Sequence, residues 1–68
     1  MYYVIEIQKT DDTNCAYIVH EKQTLNEAWS QYHTVLAAAA VSNVKKHSAV
    51  IFNDTGWSLS NQTYEHLD

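Results

Sequence analysis

Proline and arginine are missing from this chain, and glycine and cysteine occur once each. Each shortage excludes something. With Gly56 alone and no proline, the connections must be short turns of Asp, Asn, Ser and Thr, whose side chains bond their own backbone. The single Cys15 rules out an internal disulfide, leaves no thiol pair for zinc, and suits a reducing compartment. Four lysines stand against eight acidic residues, a net charge of −4. Duplex binding leaves a basic face, and arginine is the preferred reader of phosphates and base edges. Duplex nucleic acid is therefore not an expected partner. Met1-Tyr2-Tyr3-Val4-Ile5-Glu6 shows no basic leader and no long apolar run, so a cytoplasmic protein without a membrane partner is expected.

Sixty-eight residues make one domain, 1–68. A chain this short buries only ~60% of the surface its unfolded form exposes, and small domains need a supplement. With neither a disulfide nor a zinc-type cysteine set available, a partner subunit is the expected supplement.

Five elements are legible. Residues 2–9 read as a strand, with Tyr3, Ile5 and Ile7 as the cleaner apolar set, expected to face the core, and Tyr2, Val4, Glu6 and Gln8 on the other side. Asp11-Asp12-Thr13-Asn14 is a polar turn. Residues 15–22 form a second strand whose two faces are both half apolar, which leaves its orientation open. Residues 25–42 read as a helix opened by the capping box Thr24-Leu25-Asn26-Glu27, in which the Thr24 hydroxyl accepts from the Glu27 amide and the carboxylate reaches back to the Thr24 amide. Leu25, Ala28, Trp29, Tyr32, Leu36, Ala39 and Ala40 fall on one stripe, the expected core face, and Asn43 is the expected left-handed stop. Residues 47–52 are a third strand. Asn53-Asp54-Thr55-Gly56 is a turn in which Gly56 supplies positive φ. Residues 57–61 are a fourth strand, with Trp57 and Leu59 inward and Ser58 and Ser60 outward; the tail 62–68 either extends it or leaves it. Two hairpins joined by one helix predict an α+β fold, ββαββ, with a four-stranded antiparallel sheet and the helix on one face.

Two surfaces on such a fold lack an obvious cover. The later half of the helix is apolar on all sides, because Ala37, Ala38 and Val41 continue the run beyond its core stripe; such a helix is generally buried all round. The open face of the sheet is expected to carry Tyr2 and Val4. Both are candidate interfaces between copies.

Chemistry-bearing constellations are sparse. His20, His33, His47 and His66 are not at ligand spacing with one another, so neither a metal nor another cofactor is expected. Cys15 and His20 do not form a nucleophile held by a base, and catalysis is not expected. Lys45-Lys46-His47 is the one cationic cluster. It complements the negative end of the helix dipole, and together with aromatics it could hold a phosphorylated, base-containing ligand.

Met1-Tyr2-Tyr3-Val4-Ile5-Glu6, Tyr32-His33 followed by Leu36-Ala37-Ala38-Ala39-Ala40-Val41-Ser42, then His47-Ser48-Ala49 and Tyr64-Glu65-His66, resemble a family of small uncharacterised proteins of phages and prophages of gut-dwelling Firmicutes. The likeness covers nearly the whole chain, and Lys45-Lys46 departs from its pattern. The family carries no assigned activity. The resemblance implies a phage setting, in which small oligomeric proteins sequester the nucleotide signals of bacterial immunity. The functional expectation is thus a non-catalytic, anti-defence homo-oligomer, located in the host cytoplasm. It would capture a cyclic or ADP-ribose-type nucleotide through Tyr32, His33, Lys45, Lys46, His47, Tyr64 and His66. The alternative is a structural or protein-inhibitory role, docking a host or virion protein.

Overall fold

The computed structural model describes residues 1–11 and 13–66. Strands β1 (Tyr2–Lys9) and β2 (Cys15–Lys22) precede helix α1 (Leu25–Ala40), and β3 (Lys46–Asn53) and β4 (Ser58–Glu65) follow it. The fold is α+β: one four-stranded antiparallel sheet in the order β2-β1-β3-β4, with α1 packed on one face. The tail extends the last strand as far as Glu65.

Local chemistry accounts for the element ends. Thr24 caps α1, its hydroxyl oxygen accepting from the Glu27 amide at 3.2 Å. The Glu27 carboxylate accepts the Thr24 hydroxyl proton at 2.9 Å instead of reaching the Thr24 amide, so the box closes side chain to side chain. The helix ends at Ala40, two residues early. The amides of Val41 and Ser42 donate to the carbonyls of Ala38 and Ala39, both at 3.3 Å, a tightening of the last turn that uses no left-handed residue. Among the described residues Gly56, at φ 85°, is the one with positive φ, so Asn43 does not stop the helix in the expected way. In both hairpins a turn side chain gathers backbone donors. Asp11 Oδ1 accepts from the amides of Thr13 and Asn14, and Asn53 Oδ1 from those of Thr55 and Trp57.

The core lies between α1 and the central strands, made by Val4, Ala28, Tyr32, Val35, Ala49 and Ile51, with Tyr2, Trp29 and Leu36 packed against it. Three alanines at this level, Ala28, Ala39 and Ala49, are fully buried, and their small side chains let helix and sheet backbones approach.

This arrangement reverses the expected parity of β1. Val4 is fully buried and Tyr2 packs on the core, so neither belongs to an outer interface; Tyr3, Ile5 and Ile7 point to the open face. Both sets of β1 are apolar enough to be buried. The even set also carries Glu6 and Gln8, which find polar partners beneath the helix. In α1, Val35 joins the core, whereas Leu25 and Ala40 are exposed. Strand β4 departs in part: Ser58 is exposed as expected, but Trp57, Leu59 and Ser60 are not placed as expected. Trp57 lies outside the strand and is 70% exposed, Leu59 is exposed, and Ser60 faces the helix, 3.1 Å from the Tyr32 hydroxyl. The cause is a bulge: Phe52 pairs with Ser58 but Ile51 pairs with Ser60, so Leu59 is an extra residue and the alternation resets.

The register settles the orientation of β2. Ala16, Ile18, His20 and Lys22 share the helix side, and Cys15, Tyr17, Val19 and Glu21 the open side. The open face therefore presents Tyr3, Ile5, Ile7, Tyr17, Val19, Val50 and Phe52. The helix back presents Ala37, Ala38 and Val41, all exposed as expected.

Candidate functional site

A polar cluster lies on the helix side of the sheet, below the C-terminal end of α1. It grows from the register. Val4 pairs with His20 and Gln8 with His47, which sets the two histidines on diagonals to either side of Glu6. His47 is 4% exposed, and its Nε2 donates to Glu6 Oε2 at 2.6 Å. Gln8 Nε2 donates to the same oxygen at 3.0 Å. On the other side, His20 Nε2 stands 3.8 Å from Glu6 Oε1 and is buried without a hydrogen-bond partner.

The electrostatics of Glu6 follow from these neighbours. Burial by itself pushes its carboxyl up. The bonds from Gln8 and His47, with the positive character of His47 and His20, outweigh burial and hold it below its ordinary range.

Ser42, just past the helix, completes the cluster. Its Oγ is 3.0 Å from His47 Nδ1 and 3.3 Å from the carbonyl of Ala39. The one hydroxyl proton can serve the ring nitrogen when His47 is neutral, or the carbonyl when Nδ1 itself carries a proton. Ser42, His47 and Glu6 superficially follow the order of a nucleophile, a base and its orienter. In this chain the ring of His47 is itself closed off from solvent, at 4% exposure.

The seven residues expected at a ligand site divide into separate groups. His47, Tyr64 and His66 come together: Tyr64 pairs with His47 across the sheet, and His66 Nε2 donates to the Ala39 carbonyl at 2.8 Å. Lys45 adjoins them through its own carbonyl, which accepts from the His66 amide at 2.8 Å, and its side chain is exposed. Tyr32 is buried in the core. His33 is exposed on the helix, stacked on Trp29 with ring centres 5.9 Å apart. Lys46 points to the open face, where Nζ lies 3.8 Å from the Glu65 carboxylate. Sequence reasoning missed Glu6, Gln8, His20 and Ser42. The one available signal was a carboxylate and an amide on alternate positions of an otherwise apolar strand.

A shallow depression of about 270 Å³ opens beside the cluster, lined by Gln8, Thr10, Asn14, Cys15 and Ala16. None of the seven expected ligand residues lines it. Among the described residues no three His, Cys, Asp or Glu side chains gather as a metal site, and no helix is long and apolar enough to cross a membrane. Comparison with protein-family models, with curated proteins and with solved structures finds no match to this chain.

Proposed function

We propose that this protein acts by binding rather than by turnover, as an assembly of its own copies joined through the open face of the sheet. One observation carries the reading. Seven apolar or aromatic side chains share the uncovered face, with Tyr17 73% and Val19 50% exposed, in a chain too small to cover them itself. A contiguous apolar patch on this scale marks an interaction surface. The non-catalytic reading draws on the burial of His47, the ring flanked by Ser42 and Glu6, which is 4% exposed.

The ligand proposed for the assembly is a nucleotide immune signal of cyclic or ADP-ribose type, held without degradation in the host cytoplasm. This rests on the resemblance to phage proteins and on the group formed by Lys45, His47, Tyr64 and His66, where cation, imidazole and phenol stand at one helix end. Tyr32, buried in the core, His33, on the helix exterior, and Lys46, on the open face, stand apart from that group. A second reading, docking of a host or virion protein, draws on Trp57, an exposed aromatic of the kind that anchors protein interfaces.

Light scattering at micromolar concentration tests the assembly: a defined oligomer is expected, and a stable monomer overturns the reading. Calorimetry and melting curves with a panel of cyclic and ADP-ribose-type nucleotides test the ligand. Saturable heat with a raised melting temperature is expected; neither signal from a well-formed oligomer removes the nucleotide and leaves protein docking.

A further inference from the structure

The open face carries charge at its two ends, and the signs differ. In register, Lys9 lies beside Cys15 on one side and Lys46 on the other, and Lys46 meets Glu65. At the opposite end Glu21 lies beside Tyr3, whose other neighbour is Phe52. Between the ends the middle rows carry Ile5, Ile7, Tyr17, Val19 and Val50, with Ser48 the polar member on the central strands.

We infer that the occupant of this face is a second copy of the chain, packed sheet to sheet about a two-fold axis that runs across the strands. This rests on the self-association proposed above and adds its geometry. Such an axis lays β2 on β2 and β1 on β1 but exchanges their ends. Glu21 of one copy then stands over Cys15 of the other, next to the partner's Lys9, and the pairing occurs twice. The other simple two-fold, running along the strands, lays β1 of one copy on β3 of the other with the ends unexchanged. It brings Lys9 directly over the partner's Lys46 at both symmetric positions, a juxtaposition of like charges that Glu65, over the partner's Cys15, offsets only in part and that the crossed axis avoids. Charge therefore selects the crossed axis.

Size is adequate for this occupant. The Cα envelope measures 37 × 21 × 15 Å, and its 15 Å depth holds the sheet and one helix only. Strands spaced ~4.8 Å apart and rising ~3.4 Å per residue give a face that buries on the order of 1,000 Å² in total when two copies meet. That is the lower bound for a specific interface, consistent with a dimer that charge can tune. Stacked sheets sit ~10 Å apart, within reach of a lysine and a glutamate extending toward each other.

Charge reversal tests the axis. Lys9→Glu, Glu21→Lys and the double exchange are compared with the unaltered chain by sedimentation equilibrium, with circular dichroism checking that each variant is folded. Each single reversal is expected to weaken the dimer about tenfold, and the double exchange to restore it to within a few-fold, with differences shrinking at 0.5 M salt. Singles without effect, a double that stays weak, or Lys9→Glu tightening the dimer overturns the crossed axis while leaving self-association in place. An unaltered chain that is monomeric at 100 µM removes the underlying reading instead.

Discussion

His47 donates from Nε2 to the Glu6 carboxylate at 2.6 Å, joining residues 41 positions apart on neighbouring strands beneath the helix. Both side chains are largely withdrawn from water, 5% and 14% exposed. Taking one partner from a buried pair leaves the other polar group uncompensated, which costs roughly 3 kcal/mol. His47→Ala is therefore expected to lower unfolding stability by about that amount, measured by urea titration at pH 7. Glu6→Gln, which keeps an acceptor oxygen, is expected to cost less than His47→Ala.

The same pair sets an acid dependence. The Glu6 carboxyl sits below its ordinary 4.5 in the folded chain, because the bonds from Gln8 and His47 and the nearby positive charge outweigh burial. A depressed carboxyl contributes stability that is fully present above its unfolded value and is lost as pH falls through the folded one. Urea midpoints should thus hold steady above pH ~5 and fall below it, and the fall should be shallower in Glu6→Gln. Asp11 adds a contribution of the same sign, held far below the carboxylate range by the amide of Thr13, the side chains of Asn14 and Thr13, and the amide of Asn14. An equally steep acid limb in the Glu6→Gln, Asp11→Asn double variant would contradict both assignments.

Core and open face separate on substitution. Val4→Thr places a hydroxyl in the fully buried position beneath α1 and is expected to destabilise by about 2 kcal/mol in thermal melts. Ile5→Thr, one residue along but on the open face, should change the stability of the isolated subunit by less than about 1 kcal/mol and reduce association instead. Equal losses of subunit stability at the two positions would argue against the observed parity.

Tyr32 reaches across from α1 to Ser60, hydroxyl to hydroxyl, at 3.1 Å. Tyr32→Phe keeps the ring in the core and removes that bond, at an expected cost of about 1 kcal/mol. Gly56 answers to a different cause. No atom stands within 4 Å of where its Cβ would lie, so Gly56→Ala is penalised by its φ of 85° alone, about 1 kcal/mol. Gly56→Asn should be milder, because asparagine tolerates the left-handed region better. Melting temperatures in that order check the assignment.

The amino-acid sequence by itself determined what depends on neighbours along the chain. The order of elements, the bounds of β1 and β2, the Thr24 cap and the Gly56 turn all follow from local rules of capping, turn chemistry and propensity, and all stand in the structure. Which side of β1 is inside could not be read there, because Tyr2 and Val4 are as buriable as Tyr3, Ile5 and Ile7. Nor could the bulge that turns Leu59 outward, since no local composition marks it. Tertiary structure decided both. The helix covers only one face, small side chains let it close on Val4, Ala49 and Ile51, and Glu6 goes to the side where His47 and Gln8 can satisfy it. The polar cluster is a product of strand register, and register brings together residues that the chain itself keeps far apart.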